Sequence, residues 1–365
     1  MAKRVNWAYW IAGQAGVIPV AIGSPGVAKT ASTKALARKA NRVFLPVLLS
    51  QVLPEDLGGY PVVRRIERGG REIEVMRRVH DERFVQARTE PSVMLIDELT
   101  NAGNSQQAAA LQLMADGIEG CWMFAAANPP EQAAAGVDLT PPMVNLLCIL
   151  PWETDVNAIL DGWSHAMEFP EPDVPLLPGD WRSLLHKWGA LMRSFIMAFP
   201  DVLDAYPRDP MAASQPFPSP RSWTNAATLL AACESVDGGD AVVSQLVHGC
   251  VGQAAATQFL AWLSKQDLPD PESLLAAPGT LKLPKRGDLA LAILGSVIAC
   301  VERRNSPDRW EAARAVLGVA FTQAQEMAVA ANGKLWKCKP ANHLPKTPTG
   351  ALAEMNKLIV GMSKA

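Results

Sequence analysis

Residues 17–40 read VIPVAIGSPGVAKTASTKALARKA, and the fold turns on how that stretch divides. Val17 to Ile22 has the length and apolar content of a short buried strand. Pro19 has no N–H to give a sheet ladder, so the strand is expected to begin at that residue. Thr30 to Ala40 is a run of good helix formers. Between them lies a glycine- and proline-bearing loop, which makes the unit strand, loop, helix. Gly23-Ser24-Pro25-Gly26-Val27-Ala28-Lys29-Thr30-Ala31 fits the spacing G-x-x-x-x-G-K-[ST], except that Ala28 stands where the last glycine belongs. Backbone N–H groups of such a loop and of the following helix start converge on a phosphate, so side chains there must be small. Lys29 is then placed to neutralise β- and γ-phosphates, and the Thr30 hydroxyl to ligate magnesium. The competing reading is a glycine-rich turn with an incidental lysine, and only Ala28 favours it.

Working outward, Val43 to Leu49, Val93 to Ile96 and Cys121 to Ala127 are further apolar runs of strand length. Helical patterns such as Ser105 to Ala115 separate them. Strands alternating with helices predict a wound α/β sheet. Asp97-Glu98 follows the run ending at Ile96, at the strand end where ligands bind in open α/β sheets. Asp97 is expected to hold magnesium through water and Glu98 to polarise the attacking water, with an N-capping acidic pair as the alternative. Asn128 directly follows the run ending at Ala127, so its amide should emerge at the same edge, unless it is a turn residue before Pro129-Pro130. Arg221, in the stretch PSPRSW of residues 218–223, stands at an expected helix start and can be read as a phosphate contact or as an exposed arginine.

Composition bounds the rest. The 365 residues exceed what one core usually serves, 49% are hydrophobic and 19% charged, so two packed domains are expected. The formal charge of −2 gives no global attraction to nucleic acid or anionic membrane, and nucleic acid is not the expected partner. Apolar stretches are interrupted well before the roughly 20 residues of a membrane span, and MAKRVNWAYW at residues 1–10 lacks a secretory cleavage pattern, which predicts a cytoplasmic protein. The six cysteines are far apart without a C-x-x-C pair, and are expected to be buried thiols.

Residues 62–88 differ in character: two mixed-charge extended runs flank Gly69-Gly70, a hairpin signal, and carry the densest basic segment of the chain. The reading is a solvated surface hairpin, with nucleic-acid or partner binding as the alternative. Pro-rich segments at 169–178 and 207–220 interrupt the pattern, and the chain then reads as helical to about residue 333. The expected organisation is an α/β domain over 1–168 with the hairpin near 62–80, an all-helical domain over 169–335, and a strap with a short helix over 336–365.

With these residues in place, the chain resembles the MoxR family of AAA+ ATPases over residues 17 to about 235. The family often carries G-x-P-G-x-A-K-[ST], which accommodates Ala28, and Leu53-Pro54-Glu55-Asp56-Leu57-Gly58-Gly59-Tyr60-Pro61 looks like its E-D-L-x-G stretch. By the same resemblance Asp97-Glu98 matches the Walker B residues, Asn128 sensor 1 and Arg221 sensor 2. The resemblance implies a P-loop NTPase domain of AAA+ type, a C-terminal all-helical lid, ATP with Mg2+, and a homo-oligomeric, hexameric ring. It implies that the hairpin is an insertion in the second helix. It also implies a protein client that is remodelled or assembled, in some members with a von Willebrand A domain partner.

One departure stands out. Between Arg88 and Arg182 there is no lysine or arginine, and Leu146 stands where the family commonly has an arginine after the asparagine, here Asn145. Such an arginine contributes about 10³ to 10⁵ in turnover in related NTPases. Arg77, Arg78, Arg83, Arg182 and Arg193 remain as substitutes. The function expected is therefore an ATP-hydrolysing remodelling ring, with a nucleotide-gated scaffold of weak hydrolysis as the alternative. A small-molecule kinase lacks a recognisable acceptor pocket, and a nucleic-acid motor would rest on the hairpin arginines alone.

Overall fold

A computed structural model of the chain describes residues 4–132, 136–265, 269–284 and 287–362. Seven strands occur among them: β1 (Pro19–Ile22), β2 (Val43–Leu48), β3 (Tyr60–Arg68), β4 (Arg71–Val79), β5 (Ser92–Asp97), β6 (Cys121–Ala127) and β7 (Cys148–Pro151). The first helices are α1 (Trp7–Ala15), α2 (Lys29–Lys39), α3 (Pro54–Gly58), α4 (Glu82–Thr89) and α5 (Asn104–Asp116). Five strands form one parallel sheet in the order β2-β5-β6-β1-β7, and β3 and β4 form a separate antiparallel pair.

β1 begins at Pro19, as the missing N–H requires. The middle of the sheet is dry: Val93, Met94, Leu95, Ile96, Ala125 and Ala126 are fully buried. Such continuous apolar strands are what a sheet covered on both faces demands. Register then sets the site, because Ile22 pairs with Ala127 and Leu48 with Asp97. The carboxyl ends of β1, β5 and β6 therefore finish side by side, where an open parallel sheet binds its ligands.

α1 closes the β1, β6 and β7 side through aromatic rings. Tyr9 is buried, its hydroxyl donates to the Ala125 carbonyl at 3.2 Å, and its ring meets Trp10, Phe124 and Trp152. Burial pushes the Tyr9 phenol strongly upward. Gly13 lets Phe124 press against the helix, since a Cβ there would lie 2.1 Å from the ring.

The hairpin of β3 and β4 stands between the short helix α3 and α4, within the β2-to-β5 crossover. Its turn is Gly69-Gly70, both at positive φ. Arg83 and Arg88, at the end of the arginine-rich segment, belong to α4 and not to the ribbon.

The chain divides into two compact units. The first holds the sheet and is built from the described residues up to Leu176 with Asp204–Leu229 and Gly238–Ala256. The second consists of Leu177–Leu203, Leu230–Asp237 and the described residues from Thr257 onward, and no strand occurs among them. Its core gathers Trp310, Val297, Leu317 and Leu335 from the helices Gly287–Arg303, Pro307–Gln323 and Gln325–Lys337. The strap before the last helix, Gly350–Met362, is tied by Glu311, which accepts from His343 Nε2 at 2.9 Å and the Lys346 N–H at 2.8 Å. No helix of the described residues is long and apolar enough to cross a membrane.

Candidate functional site

The loop after β1 is shaped by what surrounds it. Gly23 lies under Trp152, and a Cβ there would come 2.9 Å from the Trp152 Cβ. The Trp152 indole Nε1 donates to the Val27 carbonyl at 2.9 Å, fixing the loop's far limb. Gly26 has φ +76, and a Cβ there would meet nothing within 4 Å, so the outer side of the loop is open. Ala28 adopts φ 66, a left-handed conformation that costs an L-residue roughly 1–2 kcal/mol. The alanine at the last glycine position thus takes a backbone conformation that a glycine would adopt without that cost.

Lys29 is 8% exposed. Its ammonium donates to the Gly23 carbonyl at 2.5 Å, the Ser24 carbonyl at 3.0 Å and Asn128 Oδ1 at 3.0 Å. Burial pushes its pKa down, and the nearby Asp97 carboxylate pulls it back up. Thr33 anchors the helix turn by donating to the Lys29 carbonyl at 2.9 Å.

Thr30 Oγ1 donates to Asp97 Oδ2 at 2.7 Å, and the other Asp97 oxygen accepts the Glu98 N–H at 2.9 Å. Glu98 itself sits at φ 63, and its side chain accepts a short hydrogen bond from the Ser50 hydroxyl. Ser50 lies just past β2, two residues after Leu48, which pairs with Asp97 across the sheet. Thr100 donates to the Asn128 carbonyl at 2.9 Å, which pins the backbone beyond β6. The structure therefore brings Lys29, Thr30, Asp97 and Asn128 together at the edge where β1, β5 and β6 end, with Glu98 next in the chain.

Arg221 is not part of that cluster. It is the second residue of the helix Pro220–Ser235, exposed, and makes no hydrogen bond to the loop among the described residues. The segment around Leu146 is built into the first unit: Asn145 Oδ1 accepts from the Ser219 hydroxyl, the Leu146 carbonyl accepts from Asn225 at 3.2 Å, and the half-buried Leu146 side chain packs on the core. Of the arginines that could substitute, Arg83 is chelated by Asp81 and Arg78 donates to the Gly58 and Gly59 carbonyls. Arg182 lies over the Trp181 ring.

A cavity of about 510 Å³ opens beside the loop, lined by Asn6, Trp7, Trp10, Val27, Trp152 and Asp155 among others. Trp152 and Ser50 are the residues that sequence reasoning missed. Trp152 follows Pro151, which pairs with Ile22, so an aromatic at the end of an edge strand was the signal to follow. Ser50 had the weaker signal of a hydroxyl just past the second strand.

Residues 20–132 match the AAA domain of the dynein-related subfamily. This is the P-loop AAA+ fold. The matched AAA-type ATPase domain contains the whole loop from Gly23 to Ala31, Asp97, Glu98 and Asn128. No curated protein matches the chain.

Proposed function

We propose that the chain is an ATP-hydrolysing AAA+ machine of the MoxR kind, working as a ring, hexameric as in the family it resembles, and remodelling or assembling a protein client. The observation that carries this reading is the convergence of Thr30 on Asp97 at 2.7 Å and of Lys29 on Asn128 at 3.0 Å. These contacts join the loop after β1 to the ends of β5 and β6, which supports one phosphate-handling site over separate turns.

The donor set fits a hard divalent cation, since the Thr30 hydroxyl and Asp97 carboxylate are adjacent oxygens of the kind Mg2+ prefers. Thr30 and Asp97 would hold Mg2+, which neutralises the charge of the β- and γ-phosphates when bound. Backbone N–H groups from Gly23 to Ala31 cradle the phosphates, and Lys29 exchanges its loop carbonyls for phosphate oxygens. Asn128 orients the attacking water and Glu98 polarises it, accepting its proton as the new Pγ–O bond forms and the bond from Pγ to the β,γ-bridging oxygen breaks, with ADP as the leaving group. Glu98 must first leave or share its hydrogen bond with Ser50. The tryptophan-lined cavity beside Val27 has the volume and planar walls for a purine base. Arg221 acts on the phosphates only if the helix Pro220–Ser235 delivers it.

One observation favours a second reading, a nucleotide-gated scaffold with weak hydrolysis. Leu146 packs half-buried against the core, and among residues 89–181 no lysine or arginine exists to complete a neighbour's site. ATP turnover measured against protein concentration, with ATP and magnesium saturating, separates the two. Specific activity that climbs steeply to a plateau is expected for a site completed between subunits. A rate near zero at every concentration, with ATP binding confirmed, would sink the hydrolysing ring and leave the scaffold.

A further inference from the structure

The hairpin has two faces of different chemistry, and the register states what each carries. Successive side chains in a strand point to opposite sides, and directly paired residues share a side. One face presents the pairs Tyr60/Val79, Val62/Arg77, Arg64/Val75, Ile66/Ile73 and Arg68/Arg71. It holds four arginines and no acid. The other face presents Pro61/Arg78, Val63/Met76, Arg65/Glu74 and Glu67/Glu72. On that face Arg65 and Glu74 neutralise one another at 3.0 Å, which leaves Glu67 and Glu72 as its tip.

The tip therefore carries two like-charge pairs, Arg68 opposite Arg71 on one side and Glu67 opposite Glu72 on the other. Like charges placed directly opposite one another destabilise a hairpin. None of these four side chains has an ion pair among the described residues, and all are exposed. A lone ribbon would be more stable with Arg and Glu facing each other, as Arg65 and Glu74 do. Behind each tip pair lie apolar side chains open to water: Ile73 is 42% exposed on the arginine side, Val63 63% and Met76 71% on the glutamate side.

We infer that the hairpin docks on the hairpin of a second copy of this chain, the arginine face of one ribbon stacking on the glutamate face of the next. Arg68 and Arg71 meet the neighbour's acidic tip, and the isoleucine row meets the neighbour's Val63 and Met76 row. The contact is head-to-tail, each copy offering one face to either side, which is the kind of interface that closes a ring. Two arginine faces would repel, so the stack has one direction. An acidic client segment or a nucleic acid would answer the arginine face alone, and would leave the paired glutamates and the exposed Val63 and Met76 without a partner. The inference rests on the ring reading and adds to it which surface sets the order of subunits.

A charge swap tests it on the full chain, with assembly in ATP and magnesium followed by sedimentation velocity. Arg68→Glu with Arg71→Glu makes both faces of the tip acidic, and Glu67→Lys with Glu72→Lys makes both basic. Each pair of changes should raise the concentration for half-assembly by about tenfold, as loss of two exposed ion pairs per contact implies. The chain with all four changes has the wild-type net charge and complementary faces again, and should assemble as wild type does. Double variants that assemble normally, or a fourfold variant that fails to recover, would overturn the stack. So would an arginine variant that assembles normally but loses a labelled acidic peptide or oligonucleotide bound by the wild type. A wild-type chain that stays monomeric in ATP would overturn the ring and the stack together, whereas an assembling wild type with indifferent variants overturns the stack alone.

Discussion

The phosphate loop and the hairpin both need backbone in the left-handed region, and they reach it differently. In the hairpin the turn residues are Gly69 at φ 62 and Gly70 at φ 72, where the conformation costs no steric energy. At the candidate site the same conformation falls on Ala28 at φ 66 and Glu98 at φ 63, residues with side chains. Strain of this kind persists only where the surroundings over-determine it, and it gathers at functional sites. Around Ala28 the restraints are the Trp152 indole on Val27 and the Lys29 ammonium on two loop carbonyls. Around Glu98 they are Asp97 on its N–H and Ser50 on its carboxylate. Charges follow the same division: those at the site are each held by neutral partners, Lys29 by carbonyl and amide oxygens and Asp97 and Glu98 by hydroxyls, whereas those at the hairpin tip face their like.

If strain at the site serves chemistry, removing the strained acid's charge while keeping its shape should cost the most. Glu98→Gln should lower ATP turnover by about 10² to 10⁴ while leaving nucleotide binding intact. Phosphate release beside a fluorescent-nucleotide titration reads both. Turnover within a few-fold of wild type would mean that the strain at Glu98 serves only the chain path.

A smaller effect is expected at its tether. The hydrogen bond from Ser50 is charge-assisted, and such bonds contribute about 1.5–3 kcal/mol. If Glu98 must give up part of that bond to act on water, Ser50→Ala should raise basal turnover by up to about tenfold. A fall instead would show that Ser50 aims the carboxylate, and would turn the restraint from a brake into a guide.

Legibility follows the same line between local and long-range causes. The start of β1 at Pro19, the span Cys121–Ala127 of β6 and the centre of the hairpin at Gly69-Gly70 could be read because each rests on a local rule: no N–H, an apolar run, or a glycine pair. The gathering of Lys29, Thr30, Asp97 and Asn128 was legible because parallel strands end in register. β7 was not, since Cys148–Pro151 is four residues long and becomes a strand only by pairing with β1. α1 was hidden as well, because its apolar content makes sense only against Phe124 and Trp152. Ser50 and Trp152 entered the site through contacts across 48 and 125 positions of sequence, for which no periodicity gives warning. The hairpin's two chemistries lay in the sequence from the start, yet they separate only once the register pairs Arg68 with Arg71 and Glu67 with Glu72.

The finest test trades the two backbones against each other. Ala28→Gly removes a left-handed alanine and should stabilise the first unit by about 1 kcal/mol, offset in part by the greater freedom glycine gives the unfolded chain. Gly70→Ala forces a side chain into the same region and should destabilise the hairpin by a similar amount. The first change is read as a rise in thermal midpoint of about 2–4 °C. The second is local, so it should appear as faster amide exchange over Tyr60–Val79 with the midpoint unmoved, because the ribbon packs on little else. If Ala28→Gly lowers the midpoint instead, the loop is held by its neighbours so firmly that the alanine costs nothing, and its left-handed turn is no more a store of strain than the glycine turn of the hairpin.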